Sequence, residues 1–224
     1  MTVKLLHYTP LEVADIAICK CYGNKPHEDL AKVQKRIHNV ANVSKHASTI
    51  EHISYSFDID GISRALLQEL ARHRHQNLTV KSTRYTLKSL KDEVDLNQLF
   101  KKSYFSLVGD DHNLDAYPEA KEVFTKYLVY TGNFYVDTNS MLALINLQKS
   151  LQKGISNDIA KYSLPESFKT SLVSTWNARS LQNFLTLRTS SHALLEIQHL
   201  AKAMYDVIPE DHKFLFDACV EGKL

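Results

Sequence analysis

The chain has 224 residues, 44% hydrophobic and 23% charged, enough to bury roughly 70% of its unfolded surface in one domain or two small ones. A mean hydropathy of -0.28, with no apolar run near the roughly 18 residues a membrane span needs, excludes both disorder and a transmembrane helix. The 27 Lys+Arg against 25 Asp+Glu give a net charge of +2, too even for a protein that holds a nucleic-acid backbone by charge alone.

Residues 10–22 read as a helix, because Leu11, Ala14, Ile16, Ala17 and Ile18 recur near the helical period. A more polar helix is expected over 30–43. Residues 51–61, EHISYSFDIDG, alternate apolar and polar at Ile53, Tyr55, Phe57 and Ile59, which marks a half-buried strand ended by Gly61. Ser63 can then cap a helix running to about Arg74, with Leu66, Leu67, Leu70 and Ala71 on its buried side. The polar stretch HQNLTVKSTRYT reads as a loop passing into a short strand. Residues 91–120 carry charged and Asn-rich patches, and are expected to be an insertion or a peripheral segment without assigned function.

In KYLVYTGNFYVD (126–137), β-rich runs flank Thr131-Gly132-Asn133, a hairpin signal. Helices are expected over 140–153, closed by Gly154, and over 158–162, ended by Pro165. A strand over 170–176 should feed a helix over 177–188. Further helices are expected over 192–207 and near 211–220. Helices thus outnumber strands, and the strands look hairpin-like, which predicts an α+β fold with an antiparallel β-sheet flanked by helices.

Glycine and arginine usage points to how a ligand would be held. The six glycines are isolated, so neither a Rossmann fingerprint nor a P-loop is present, and any phosphate must be gripped largely by side chains. Arginine is scarce, yet Arg72, Arg74, Arg84, Arg179 and Arg188 fall in two short segments, leaving only Arg36 and Arg64 outside. Guanidinium groups bunched in this way suit anionic ligands. Cys19, Cys21 and Cys219 form no zinc or CxxC pattern, and the Met1 end has no basic-then-apolar leader, so a reducing cytoplasm is expected.

Three constellations could carry chemistry. Arg72-His73-Arg74 ends a helix, where cations complement the helix dipole; but Lys81, Ser82 and Arg84 follow, and no acidic residue lies between Arg72 and Lys91. That locally unpaired charge suits a nucleotide or dinucleotide. In NARSLQNFLTLR (177–188), Leu181, Phe184 and Leu185 share one helical face with Arg188, while Arg179 and Asn183 lie opposite. An arginine on an apolar stripe either snorkels from the helix end or meets a buried anion or polar ligand. His46, Ser48, Glu51 and His52 precede the first strand; their spacing matches no standard zinc pattern, so no metal is expected.

Together these blocks resemble the flavin-dependent thymidylate synthase family. Its signature is Arg-His-Arg, seven residues, then Ser, and here Arg72-His73-Arg74 is followed by HQNLTVK and Ser82. The H-x-S-x-x-E-H and N-A-R-S-L-x-N-F-L-x-L-R stretches also resemble family blocks in the right order, so the likeness extends from about Tyr8 to Phe216 and is weakest over 91–120. It implies one domain of this type over 1–224. It further implies a homotetramer with active sites shared between subunits, each taking FAD, dUMP and a reduced folate.

By that resemblance Arg72, His73 and Arg74 contact FAD together with Ser48, Asn177, Arg179 and Asn183, and His46 lies near flavin and folate. Glu69, Arg72, Ser82, Thr83, Arg84 and Lys161 resemble the dUMP site, with Ser82 and Arg84 near the phosphate. Arg188 matches the arginine that activates the pyrimidine. Two positions depart from the family pattern: Lys161 stands where a family arginine helps hold dUMP, keeping a cation without the bidentate fork, and Val80 stands where many members carry Glu. The implied reaction is reductive methylation of dUMP to dTMP, with 5,10-methylenetetrahydrofolate as methylene donor and FAD, reduced by NADPH, as hydride source. Flavin-free thymidylate synthases use a cysteine instead, and all three cysteines here lie outside the ligand-bearing blocks. Two rivals are a nucleic-acid-binding module using the basic loop from Arg72 to Tyr85, and a metal hydrolase built on His46, Glu51 and His52.

Overall fold

A computed structural model of the chain describes the backbone of residues 1–107 and 118–220, and the side chains of all of these except 103–107. In chain order the first elements are β1 (Thr2–Tyr8), α1 (Leu11–Tyr22), α2 (Leu30–Ile37) running into a π-helical turn (His38–Val43), and a 3-10 turn (Ala47–His52). Next come β2 (Ser54–Ser63), α3 (Arg64–Ala71), β3 (Gln76–Val80), α4 (Thr83–Thr86), α5 (Lys88–Lys91), α6 (Leu96–Leu107) and α7 (Pro118–Tyr127). The long α8 (Phe134–Gln152) is followed by α9 (Asn157–Ala160), a 3-10 turn (Lys161–Ser163) and β4 (Lys169–Asn177). Helices α10 (Ala178–Arg188) and α11 (Leu195–Asp206), a 3-10 turn (Glu210–Leu215) and α12 (Asp217–Val220) complete the described chain.

The strands form an antiparallel sheet in the order β1-β2-β4-β3, with helices around it, so the expected α+β class holds. The strands are not hairpin-like, however. β1 pairs with β2 from Thr2↔Asp60 to Tyr8↔Tyr55 across the intervening α1 and α2, with a register shift between Leu5 and His7. Alternation explains β2: Ile53, Tyr55, Phe57 and Ile59 are all fully buried, while the residues between them are not. The strand runs past Gly61, which adopts φ +75, to Ser63, so that glycine bends it rather than ending it. Ser63 Oγ accepts from the Leu66 N–H and so caps α3 as expected.

The chain divides into two compact units, Met1–Asp60 with Gln68–Thr79 and Ser171–Leu224, and Gly61–Leu67 with Val80–Thr170. In the first, Trp176, Tyr55, Phe57, Phe184 and Phe216 are the bulkiest buried side chains. The Tyr55 hydroxyl shares a buried hydrogen bond of 2.7 Å with His212 Nδ1; burial raises the tyrosine pKa and lowers that of the histidine.

In the second unit α8 is the central element, with Met141, Leu144, Ile145, Leu147 and Leu151 packed among Leu87, Leu90, Leu96, Phe124 and Phe168. Its one buried amide is fully used. Gln148 Oε1 accepts from the Leu96 N–H, and Nε2 donates to the carbonyls of Leu90, Glu93 and Val94.

The hairpin expected over 126–137 does not form. α7 ends at Tyr127 and α8 starts at Phe134, with Asn133 as N-cap accepting from the Val136 N–H. Asp137 in the first turn gathers the Thr131 N–H and hydroxyl and the Gly132 N–H, so the Thr-Gly-Asn signal serves a helix start. The helix expected from 140 therefore begins a turn and a half earlier. Of the stretch 91–120, which carried no functional expectation, α6 and the start of α7 are helical; 108–117 lie outside the described residues.

Candidate functional site

The first unit holds a cavity of about 800 Å³ between the end of α3 and one face of α10. α3 stops at Ala71, and the chain leaves it through His75, which takes φ +60. Gln76 Nε2 clamps this exit by donating to the carbonyls of Leu70 and His73. The result splits the Arg-His-Arg run. Arg72 and Arg74 are exposed at the cavity wall, while His73 turns half inward against Phe184 and Trp176, with ring centroids 5.0 and 6.0 Å away.

α10 begins at its cap, Asn177, whose Oδ1 accepts from the Ser180 N–H, leaving its amide N–H groups as what it offers the cavity. As the helical wheel requires, Leu181, Phe184 and Leu185 are buried, and Arg179 and Asn183 lie exposed one turn apart on the cavity side. Arg179 meets Glu51 at 2.6 Å.

Arg188, the anomaly of the apolar stripe, meets an anion of its own chain. Its side chain is only 18% exposed, and its Nη1 stands 3.2 Å from Glu69 Oε2, a carboxylate 119 residues earlier. Nη2 reaches the Glu69 carbonyl at 3.4 Å, and Nε donates to His73 Nε2 at 2.8 Å. Glu69 is also 3.6 Å from Arg72. The cavity wall thus carries the guanidiniums of Arg72, Arg74, Arg179 and Arg188 against the carboxylates of Glu51 and Glu69, an excess of positive charge suited to an anionic ligand.

Burial first, then the Arg188 and Arg72 charges, lowers the His73 pKa to about 4, with Glu69 opposing. The folded protein therefore binds fewer protons than the unfolded chain between about pH 4 and 6.5, and unfolding becomes easier as pH falls through that window. His212 is shifted in the same direction. Thermal denaturation between pH 7 and 4.5 should show Tm falling, with a shallower fall in His73→Gln.

Other expected site residues sit elsewhere. His46 and Ser48 are exposed and do not line this cavity; His46 Nδ1 lies 3.4 Å from the Tyr22 hydroxyl. Their neighbours Lys45 and Ala47 line a smaller cavity of about 250 Å³ that shares Arg179 and Asn183 with the large one. Ser82, Thr83, Arg84 and Lys161 belong to the second unit. There Ser82 precedes α4, making no capping bond with its side chain. Arg84 Nε donates to Asp158 Oδ1 at 2.9 Å, and Lys161 Nζ is 3.9 Å from the same oxygen. Two cations 77 positions apart in the chain thus converge on one carboxylate, whose pKa the bond to Arg84 holds down.

Sequence reasoning missed Asp158, whose i,i+3 spacing to Lys161 was its only local signal, and saw Glu51 only as a metal candidate. Among the described residues no three His, Cys, Asp or Glu side chains gather as a metal ion requires. None of the described helices is long and apolar enough to cross a membrane.

Residues 4–212 match the family model described as thymidylate synthase complementing protein. A flavin-dependent thymidylate synthase of Campylobacter jejuni (strain RM1221) is 48% identical over 222 residues, covering 98% of each chain. One of Helicobacter pylori (strain ATCC 700392 / 26695) is 46% identical over 224 residues, covering 99% of this chain and all of its own. The crystal structure of thymidylate synthase X from Helicobacter pylori with FAD and dUMP is similar at a TM-score of 0.86 and 42% identity, covering 99% of this chain and 100% of that one.

Proposed function

The chain belongs to the flavin-dependent thymidylate synthase family, and from that premise we propose that it converts dUMP to dTMP by reductive methylation, taking the methylene group from 5,10-methylenetetrahydrofolate and electrons from NADPH through FAD. The observation that carries this reading is Arg188, half-buried at the wall of an arginine-rich cavity and aimed by Glu69 and His73.

The cavity fits a dinucleotide. Its volume lies within the usual range of cofactor sites, and its donors are guanidiniums and amides, as a pyrophosphate requires when no glycine-rich loop is available. Arg72, His73, Arg74, Asn177, Arg179 and Asn183 would hold FAD, with Ser48 alongside and His46 near the flavin and folate. The chemistry FAD supplies when bound is hydride donation. Glu69, Arg72, Ser82, Thr83, Arg84 and Lys161 would hold dUMP, with Arg84 and Lys161 on its phosphate.

The residues' own task is placement and electrostatics. Uracil C5 becomes nucleophilic as negative charge develops on the N3/O4 side of the ring. A guanidinium desolvated by its own fold stabilises that charge, and of the five N–H donors of Arg188, His73 and the Glu69 carbonyl engage two, while the Glu69 carboxylate pairs with Nη1 by charge, so N–H groups remain for the pyrimidine. Among the described residues Leu187 is the sole aliphatic side chain on the cavity wall, so the flat rings of both ligands need apolar surface from elsewhere. A second subunit would supply it, in keeping with a homotetramer with shared sites. The whole chain works as one cytoplasmic domain of this family, with 91–120 peripheral.

The colour of the purified protein tests the reading. A yellow sample whose flavin spectrum bleaches under NADPH, and which forms dTMP from dUMP and the folate, is expected; a colourless one unable to bind added FAD overturns it. Ser82→Ala should weaken dUMP binding roughly tenfold while leaving measurable turnover, because a lost hydroxyl removes a ligand contact only. Complete inactivity at normal dUMP affinity would make Ser82 a nucleophile instead.

A further inference from the structure

The partners of Arg188 are of two kinds. Glu69 supplies charge, and its carboxylate is shared with Arg72. His73 supplies direction: its backbone N–H bonds the Leu70 carbonyl, its own carbonyl is clamped by Gln76, and its ring is wedged against Phe184 and Trp176. A ring held at both backbone and face presents Nε2 in one place. There it receives the Nε–H of Arg188, which sits at the last residue of α10 where a long side chain otherwise has free rotamers.

We propose that His73 is the positioning residue of Arg188, its Nε2 a fixed acceptor that sets the plane of the guanidinium and turns the remaining N–H groups toward the pyrimidine. This deepens the proposed function and rests on the role given there to Arg188. An imidazole is suited to the task in a way a second carboxylate is not, since it orients the guanidinium without neutralising the charge that the developing uracil anion must meet. Acceptance requires an unprotonated Nε2, hence the Nδ1–H tautomer. The surroundings enforce it: Arg188 from α10 and Arg72 on the same segment disfavour a second positive charge, Glu69 opposes them in part, and Trp176 and Phe184 are uncharged.

Two measurements test this. Nitrogen NMR of the ligand-free protein, with the His73 signal identified by its loss in His73→Gln, should show the Nδ1–H tautomer and a midpoint below about pH 5. Protonated Nε2 near neutrality, or a midpoint near the ordinary value of about 6.5, overturns the proposal. In kinetics with FAD content matched by absorbance, His73→Ala should lower kcat on the order of a hundredfold while the dUMP KM stays within about threefold.

His73→Gln, whose amide oxygen can accept from the same Nε–H, should recover at least about tenfold of that loss. Its rate should also lack any acid limb due to residue 73. A kcat for His73→Ala within twofold of the parent, or a Gln variant no better than Ala, overturns the proposal. A parent protein that makes no dTMP would sink the proposed function alone, leaving the NMR measurement to decide on His73.

Discussion

Arg188→Ala is expected to lower dTMP formation by on the order of 10²–10³-fold while the protein still takes up FAD. Arg188 has little of its side chain in water and makes three contacts with groups that are themselves held, so its guanidinium is a preorganised charge. Removing it takes away stabilisation that matters only as negative charge grows on the pyrimidine, so the loss should fall mainly on kcat. FAD retention is expected because Arg72, Arg74 and Arg179 remain on the cavity wall, and Glu69 keeps Arg72 as a counterion. Arg188→Lys should recover less than about tenfold, since one ammonium cannot bond His73, Glu69 and a substrate in the plane the fork allows. Product chromatography gives the rate and absorbance the flavin; turnover within tenfold of the parent would remove Arg188 from its role.

The double variant Arg84→Ala/Lys161→Ala is expected to raise the Kd for dUMP by on the order of a hundredfold, with each single change giving about tenfold. Both side chains reach Asp158 Oδ1, so they are close enough to serve one phosphate. Deoxyuridine separates the phosphate effect from general damage: without a phosphate it should bind parent and variant equally. Calorimetry on both ligands decides, and a dUMP Kd unchanged in the double variant would move the phosphate elsewhere. Fold stability should hardly change, because these are exposed ion pairs.

Much of this was legible in the sequence. The alternation of Ile53, Tyr55, Phe57 and Ile59 announced β2 because each of those positions is fully buried. Arg188 was visible as a charge on an apolar stripe; its partner was not, because Glu69 meets it only in the folded chain and no local pattern encodes a contact across 119 residues. β1 left no signal for the opposite reason. It is an edge strand, exposed along much of its length, so TVKLLHY carries little of the alternation that burial imposes. The Thr131-Gly132-Asn133 turn misled because glycine and asparagine suit a hairpin turn and a helix cap alike, and the burial of α8 decides between them. Inside the site, the Arg-His-Arg run gave the residues but not the split within it, which depends on the left-handed turn at His75 and the Gln76 clamp.

With the dUMP phosphate on Arg84 and Lys161, as proposed, Asp158 between them would change what dUMP affinity measures. A phosphate arriving there would displace an anion rather than fill a bare positive site, so the binding free energy is the difference between two anions' hold on the same cations. Added salt weakens both holds, and the two losses partly cancel. Affinity should therefore decline more gently with ionic strength than a pair of free cations would dictate, and a nucleotide with a weaker anionic group would face a resident competitor as well as lose its own attraction. On that placement the carboxylate would act as a threshold for the phosphate dianion to pass.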